Sequence, residues 1–176
     1  MKDALYQDYH DNEWGKPVKE DYKMFEFLIL ETFQAGLSWY TILSKRENFR
    51  KAFDGFDFEK IAQYQEDKIE ELMQNAGIIR NKLKIKAVIS NAKAYIEIRK
   101  NHLSFCDYLW GFVNHQPIIN HWKTLSEVPA TTDLSDLVSK ELKKNGFKFV
   151  GSTVIYAHLQ ATGIVNDHLV NCFTRN

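Results

Sequence analysis

Apolar residues recur three and four positions apart along most of this chain, the period of helices that each turn one face to a core. The pattern predicts helices near 20–35, 38–45, 47–53, 57–63, 66–75, 81–100, 104–112, 133–145 and 150–162, after an irregular start to about residue 19. No period-two run is long enough to predict a sheet, so the expected fold class is all-α, a helical bundle. Gly77, Gly146 and Gly163 each follow a periodic stretch, where a helix end takes a left-handed residue. Thr132 or Asp133 is placed to cap the helix that begins there.

The length of 176 residues suits one domain spanning 1–176, and 44% hydrophobic with 14% aromatic residues is ample for a core without staples. Lysine plus arginine and aspartate plus glutamate both number 23, so the net charge is zero and any contact with nucleic acid has to be local. No stretch approaches the roughly 18 apolar residues of a membrane span, and the amino terminus lacks a charged-then-apolar signal, so a cytoplasmic protein with no membrane contact is expected. Cys106 and Cys172 are too few for a disulfide framework and are expected as reduced thiols.

One carboxylate stands out. Glu31 closes the run Met24-Phe25-Glu26-Phe27-Leu28-Ile29-Leu30 and shares a helical face with Phe27 and Leu28. Burying it unpaired costs on the order of several kcal/mol, which implies a partner, and the aromatics nearby suit a flat polar ligand. Farther along, the helices near 66–75 and 81–100 flank Ala76-Gly77-Ile78-Ile79-Arg80, a helix-hairpin-helix pattern with glycine at the turn. Arg80, Lys82, Lys84 and Lys86 follow without an acid among them, and with the backbone amides of the turn they form a local footprint for phosphate. Taken alone, the segment reads equally well as a hairpin with a solvated basic face. Lys140, Lys143, Lys144 and Lys148 around Gly146 read more simply as a solvated helix end.

Tyr9-His10-Asp11-Asn12-Glu13-Trp14-Gly15, then Glu31, then Gln34-Ala35-Gly36-Leu37-Ser38-Trp39, resembles the bacterial 3-methyladenine DNA glycosylase I family. Asn75-Ala76-Gly77-Ile78-Ile79-Arg80, Phe112-Val113-Asn114-His115-Gln116-Pro117, Gly146-Phe147-Lys148-Phe149-Val150-Gly151 and Val165-Asn166-Asp167-His168 extend the resemblance in order over nearly the whole chain. The resemblance implies a monomeric helix-hairpin-helix glycosylase that acts on double-stranded alkylated DNA and releases 3-methyladenine. It assigns Glu31 as the reader of the base and Tyr6, Tyr9, Trp14 and Trp39 as pocket aromatics. Gln34, Gly36 and Leu37 become the wedge that fills the duplex, and Gly77, Arg80 and Lys82 contact its backbone. The chemistry fits these residue types. A base must leave the stack to be reached, aromatic faces replace the stacking it loses, and they favour a cationic purine. Methylation at N3 makes the departing base neutral, so the resemblance implies neither an aspartate that activates water nor a lysine that forms a Schiff base.

The resemblance also implies a structural zinc ion, Zn2+, held by His10, His168 and Cys172, the last two being i and i+4 on one helical face. The family's fourth ligand is a cysteine upstream of the tyrosines, closely followed by a pocket tryptophan. The sequence begins past that segment, and Met1, Lys2 and Asp3 do not replace it, so a weaker metal site and a less completely roofed pocket are expected. His115 is read as structural or DNA-facing, and His102, His121 and His158 as ordinary residues. Two other functions fit parts of the pattern. One is a non-catalytic binder of damaged or distorted DNA, which has no need of Glu31. The other is a hydrolytic zinc centre, against which stands the lack of a general base near the three ligands.

Overall fold

The computed structural model describes residues 4–175; Met1, Lys2 and Asp3, expected not to replace the upstream ligand, lie outside the described residues. Each helix expected from the periodicity is present to within about two residues at either end. The irregular start is corrected, because Ala4–Asn12 is a helix, α1. Only Tyr9 of α1 is buried, so no apolar face announces it, and packing against the rest of the chain has to hold it. The others follow as α2 (Asp21–Gln34), α3 (Trp39–Ser44), α4 (Arg46–Ala52), α5 (Phe58–Ile61), α6 (Glu66–Gln74), α7 (Lys82–Arg99), α8 (Phe105–Gly111), α9 (Asp133–Lys144) and α10 (Ser152–Ala161). A two-residue parallel pairing joins β1 (Ile118–Ile119) to β2 (Val165–Asn166), too short for any period to reveal. Among the described residues no helix is long and apolar enough to cross a membrane.

The core is built around α2, where every residue from Met24 to Phe33 is buried. A helix apolar on all sides lies inside a fold, and here α10 packs on α2 and α9, while α7 packs on α5. Glu20 caps α2 by accepting the amides of Tyr22 and Lys23. At its other end Lys84 Nζ donates to the carbonyls of Phe33 and Ala35, both at 2.9 Å, and so satisfies the exposed end of the helix. Thr132 caps α9 in a reciprocal pair with Ser135, as the sequence implies.

Gly146 and Gly163 adopt the left-handed conformation expected of them, whereas Gly77 does not. A Cβ on Gly77 would stand 3.1 Å from Asn48 and 3.0 Å from the Asn75 side chain, so its need is for space.

Candidate active site

α2 carries two buried acids, and their surroundings differ. Glu26 Oε1 accepts Arg46 Nε at 2.6 Å and Arg50 Nε at 2.9 Å. Arg46 also grips both oxygens of Glu13 at 2.8 and 3.0 Å, tying the chain just after α1 to α2 and α4. Glu31 is 5% exposed, and among the described residues no group donates a hydrogen bond to its side chain. Burial alone raises its carboxyl from the usual 4.5 to about 8, so at neutral pH the free site holds it as the acid.

Glu31 lies in the wall of a cavity of about 550 Å³, within the size range of small-molecule sites. Tyr6, Tyr9, Trp14, Trp39 and Gln34 line the same cavity, so all four expected pocket aromatics converge on the expected carboxyl. Tyr9 packs against Trp39 with ring centres 5.3 Å apart. Burial, and after it the charge of Glu31, keeps the Tyr9 phenol protonated far above its usual range. The Trp39 indole Nε1 is buried without an acceptor among the described residues, the kind of orphan donor that calls for an explanation. Tyr6 is 42% exposed and Leu37 is 36% exposed, so both have a free apolar surface.

The segment after α2 is a tight turn. The Leu37 amide donates to the Gln34 carbonyl and the Gln34 side-chain amide to the Leu37 carbonyl, both at 2.7 Å. Ala35 at φ −51°, ψ 118° and Gly36 at φ +81° define a type II turn, whose third position favours glycine. Ser38 then caps α3, which begins at Trp39. Leu37 therefore stands on a braced turn and outside any helix.

His10, His168 and Cys172 bring their ligand atoms within 4.8 Å of one another in the cavity wall. Cys172 Sγ is 3.7 Å from His10 Nε2 and 3.5 Å from His168 Nδ1. Their expected helical spacing is corrected: residues 169–172 form a turn, closed by the Cys172 amide on the Leu169 carbonyl at 2.9 Å. His10 Nδ1 donates to Asp11 at 2.7 Å and His168 Nε2 to the Trp14 carbonyl at 3.0 Å, leaving the other ring nitrogen of each as a lone pair facing Cys172. Thr174 Oγ1 sits 3.0 Å from Cys172 Sγ and 3.1 Å from His168 Nδ1. The donor set and its supporting hydrogen bonds match what a zinc ion takes.

The expected phosphate footprint is smaller than its charges suggest. Lys84 is buried against α2 and is withdrawn from it. Lys82 pairs with Glu66 at 3.0 Å, Lys86 pairs with the same residue at 3.6 Å, and Arg80 is exposed. The Gly77 amide donates to Asn75 Oδ1 at 2.8 Å. Sequence reasoning passes over Arg46, Gln160 and Asp167. Asp167 stands inside a motif that carries the resemblance, but neither Gln160 nor Arg46 has a local signal.

Fold and site together define a mostly helical protein with a buried carboxyl in the wall of an aromatic cavity. The family model described as methyladenine glycosylase matches residues 1–175. The chain is 54% identical over 171 residues to the DNA-3-methyladenine glycosylase 1 of Escherichia coli (strain K12), covering 97% of this chain and 91% of that one. It is 49% identical to the DNA-3-methyladenine glycosylase of Haemophilus influenzae, covering 96% and 91%. A solved 3-methyladenine DNA glycosylase I from Staphylococcus aureus, described for its recognition of 3-methyladenine, superimposes with a TM-score of 0.97 at 36% identity over 100% of this chain and 94% of that one. The chain belongs to the methyladenine glycosylase family.

Proposed function

We propose that the protein is a DNA-3-methyladenine glycosylase, which hydrolyses the N-glycosidic bond of 3-methyladenine in alkylated DNA after flipping the nucleotide into the cavity. The observation that carries this reading is the unpaired Glu31 carboxyl in an aromatic cavity with room for a purine base. A nucleotide methylated at N3 brings a positive charge, which favours the carboxylate and supplies the partner the free site lacks. A neutral adenine brings no such charge. Binding the lesion therefore expels the Glu31 proton, and the aromatic faces of Tyr9 and Trp39 add their attraction for a cation. The bond then breaks to a neutral leaving base, so selective binding of the strained, flipped state supplies most of the catalysis. The enzyme is monofunctional, without lyase activity.

Leu37 on its braced turn is the wedge, with Gln34 and Gly36 shaping it. The α6–α7 pair acts as the helix-hairpin-helix, with Arg80 and Lys82 on phosphates and the turn at Gly77 beside them. Because Lys82 and Lys86 share Glu66, few phosphates are neutralised, and DNA association is weak and salt-sensitive. His10, His168 and Cys172 hold a structural zinc ion that ties the chain termini together and braces the cavity wall. The enzyme works as a cytoplasmic monomer.

The decisive experiment measures release of free 3-methyladenine from methylated duplex DNA by the protein and by Glu31→Gln at matched folding. Losing one charge-assisted hydrogen bond predicts a drop of roughly ten- to a hundredfold. A folded parent that releases no base refutes the activity, and equal release by both removes Glu31 as the reader. For the metal, the expected result is about one zinc per chain and a lower melting temperature after chelation or in Cys172→Ser. Full stability without metal refutes the site.

A further inference from the structure

Beyond Glu31 and the aromatics the cavity has a second polar wall, made by Gln160 near the end of α10 and Asp167 just after β2. Asp167 is 4% exposed and its carboxylate accepts four hydrogen bonds. Oδ1 takes them from Asn120 Nδ2 at 2.7 Å and Trp122 Nε1 at 2.8 Å, and Oδ2 from Gln160 Nε2 at 2.8 Å and the Tyr156 hydroxyl. A carboxylate has about four lone-pair positions, so none is left to take a proton from water. Asp167 is thus no general base, despite lining the cavity.

What Asp167 does fix is the direction of an amide. A carboxylate only accepts, so the NH2 end of Gln160 has to face it and Oε1 has to point elsewhere. Among the described residues nothing donates to Oε1, and it is not among the buried unpartnered atoms, so it stays open. It is an acceptor that cannot become a donor. Glu31, once a cationic base has expelled its proton, likewise only accepts, so both groups suit an amino group on the base. Adenine carries an N6 amino donor where guanine carries the O6 acceptor.

We propose that Gln160 is a specificity-determining residue, held by Asp167 as its positioning residue, whose Oε1 accepts a hydrogen bond from the exocyclic amino group and selects 3-methyladenine over 3-methylguanine. This rests on the glycosylase reading above. The amino group has two hydrogens, one for Glu31 and one for Gln160. A guanine turns O6 toward Oε1, where two acceptors repel.

The test uses one methylated duplex that carries both lesions and follows the release of each base separately, for the parent, Gln160→Met and Asp167→Asn. In Gln160→Met, 3-methyladenine release falls about tenfold, the worth of one hydrogen bond, while 3-methylguanine release holds, so the selectivity ratio narrows about tenfold. In Asp167→Asn the Trp122 indole only donates, so the new oxygen stays beside it and the new NH2 faces Gln160. The Gln160 amide then turns over, a donor faces the base, and the ratio falls at least as far. A folded Gln160→Met with the parent's ratio overturns the proposal, even if both rates drop together, since a merely structural residue moves both alike. Should Asp167→Asn fail to fold, the Gln160→Met ratio decides alone. A parent that releases neither base overturns the glycosylase reading itself, and that result is visible before any variant is compared.

Discussion

Replacing Glu31 with glutamine should stabilise the free protein, and by an amount that grows with pH. Below about pH 4.5 the carboxyl is protonated in both the folded and the unfolded chain, so it sets no difference between parent and variant beyond shape. From 4.5 to about 8 the unfolded chain gives up the proton while the native one keeps it. The native state then binds more protons, and stability falls as pH rises through that window. At about 1.4 kcal/mol for each pH unit, the interval from 4.5 to about 8 amounts to about 5 kcal/mol, fully lost above pH 8. Glutamine has the same size and no charge, so Glu31→Gln escapes this loss. Urea unfolding of both proteins near pH 5 and near pH 8.5 should show the gap between them widening by about 4 kcal/mol in favour of the variant. Other titrating groups cancel in the comparison, because they are common to both proteins. A gap that stays constant, or narrows, refutes the reasoning and means that the native carboxylate has a partner.

His158 behaves in the opposite sense. It is buried with neither ring nitrogen bonded among the described residues, and burial lowers it from 6.5 to about 3. The unfolded chain therefore takes up a proton first as pH falls, and stability is lost from about 6.5 down to about 3; urea melts of His158→Leu should gain on the parent across that window, and parallel curves would refute it. Arg46→Met leaves Glu13 without its bidentate partner and Glu26 with Arg50 alone, and should cost about 3–5 kcal/mol in thermal denaturation. Adding Glu13→Gln to it should recover part of that loss, and no recovery would show that the pair is not coupled.

The helices were legible because their period does not depend on partners, and α1 was not, since it buries a single tyrosine. Glu31 was legible as a carboxylate in an apolar run, yet Glu26 sits in the same run and looks no different in sequence. Only the fold brings Arg46 and Arg50, 20 and 24 residues away, onto one acid and leaves the other bare. Lys84 fails for the same reason. Its charge counts toward a basic patch in sequence, while in space it closes the end of α2 from about 50 residues away. His168 and Cys172 carry a spacing that a helix and a turn both satisfy, so their approach to His10 could be read and the local geometry could not.

The two acids of α2 belong to one design. Glu26, through Arg46 and Glu13, fixes the chain at the end of α1 against α2. α1 in turn carries Tyr9, which packs on Trp39 and feels the charge of Glu31. The paired acid thus ties together the segments that carry the cavity, and the bare one is the group to which the proposed function assigns selectivity. A bare acid is tolerated only in a rigid surrounding, because a looser one would let water or a neighbouring side chain reach the carboxyl and neutralise its preference for a cation. An α2 buried along ten consecutive residues provides that rigidity. On the proposed function, the instability that Glu31 brings to the free protein and the preference for a charged base have one origin, the absence of a partner among the described residues.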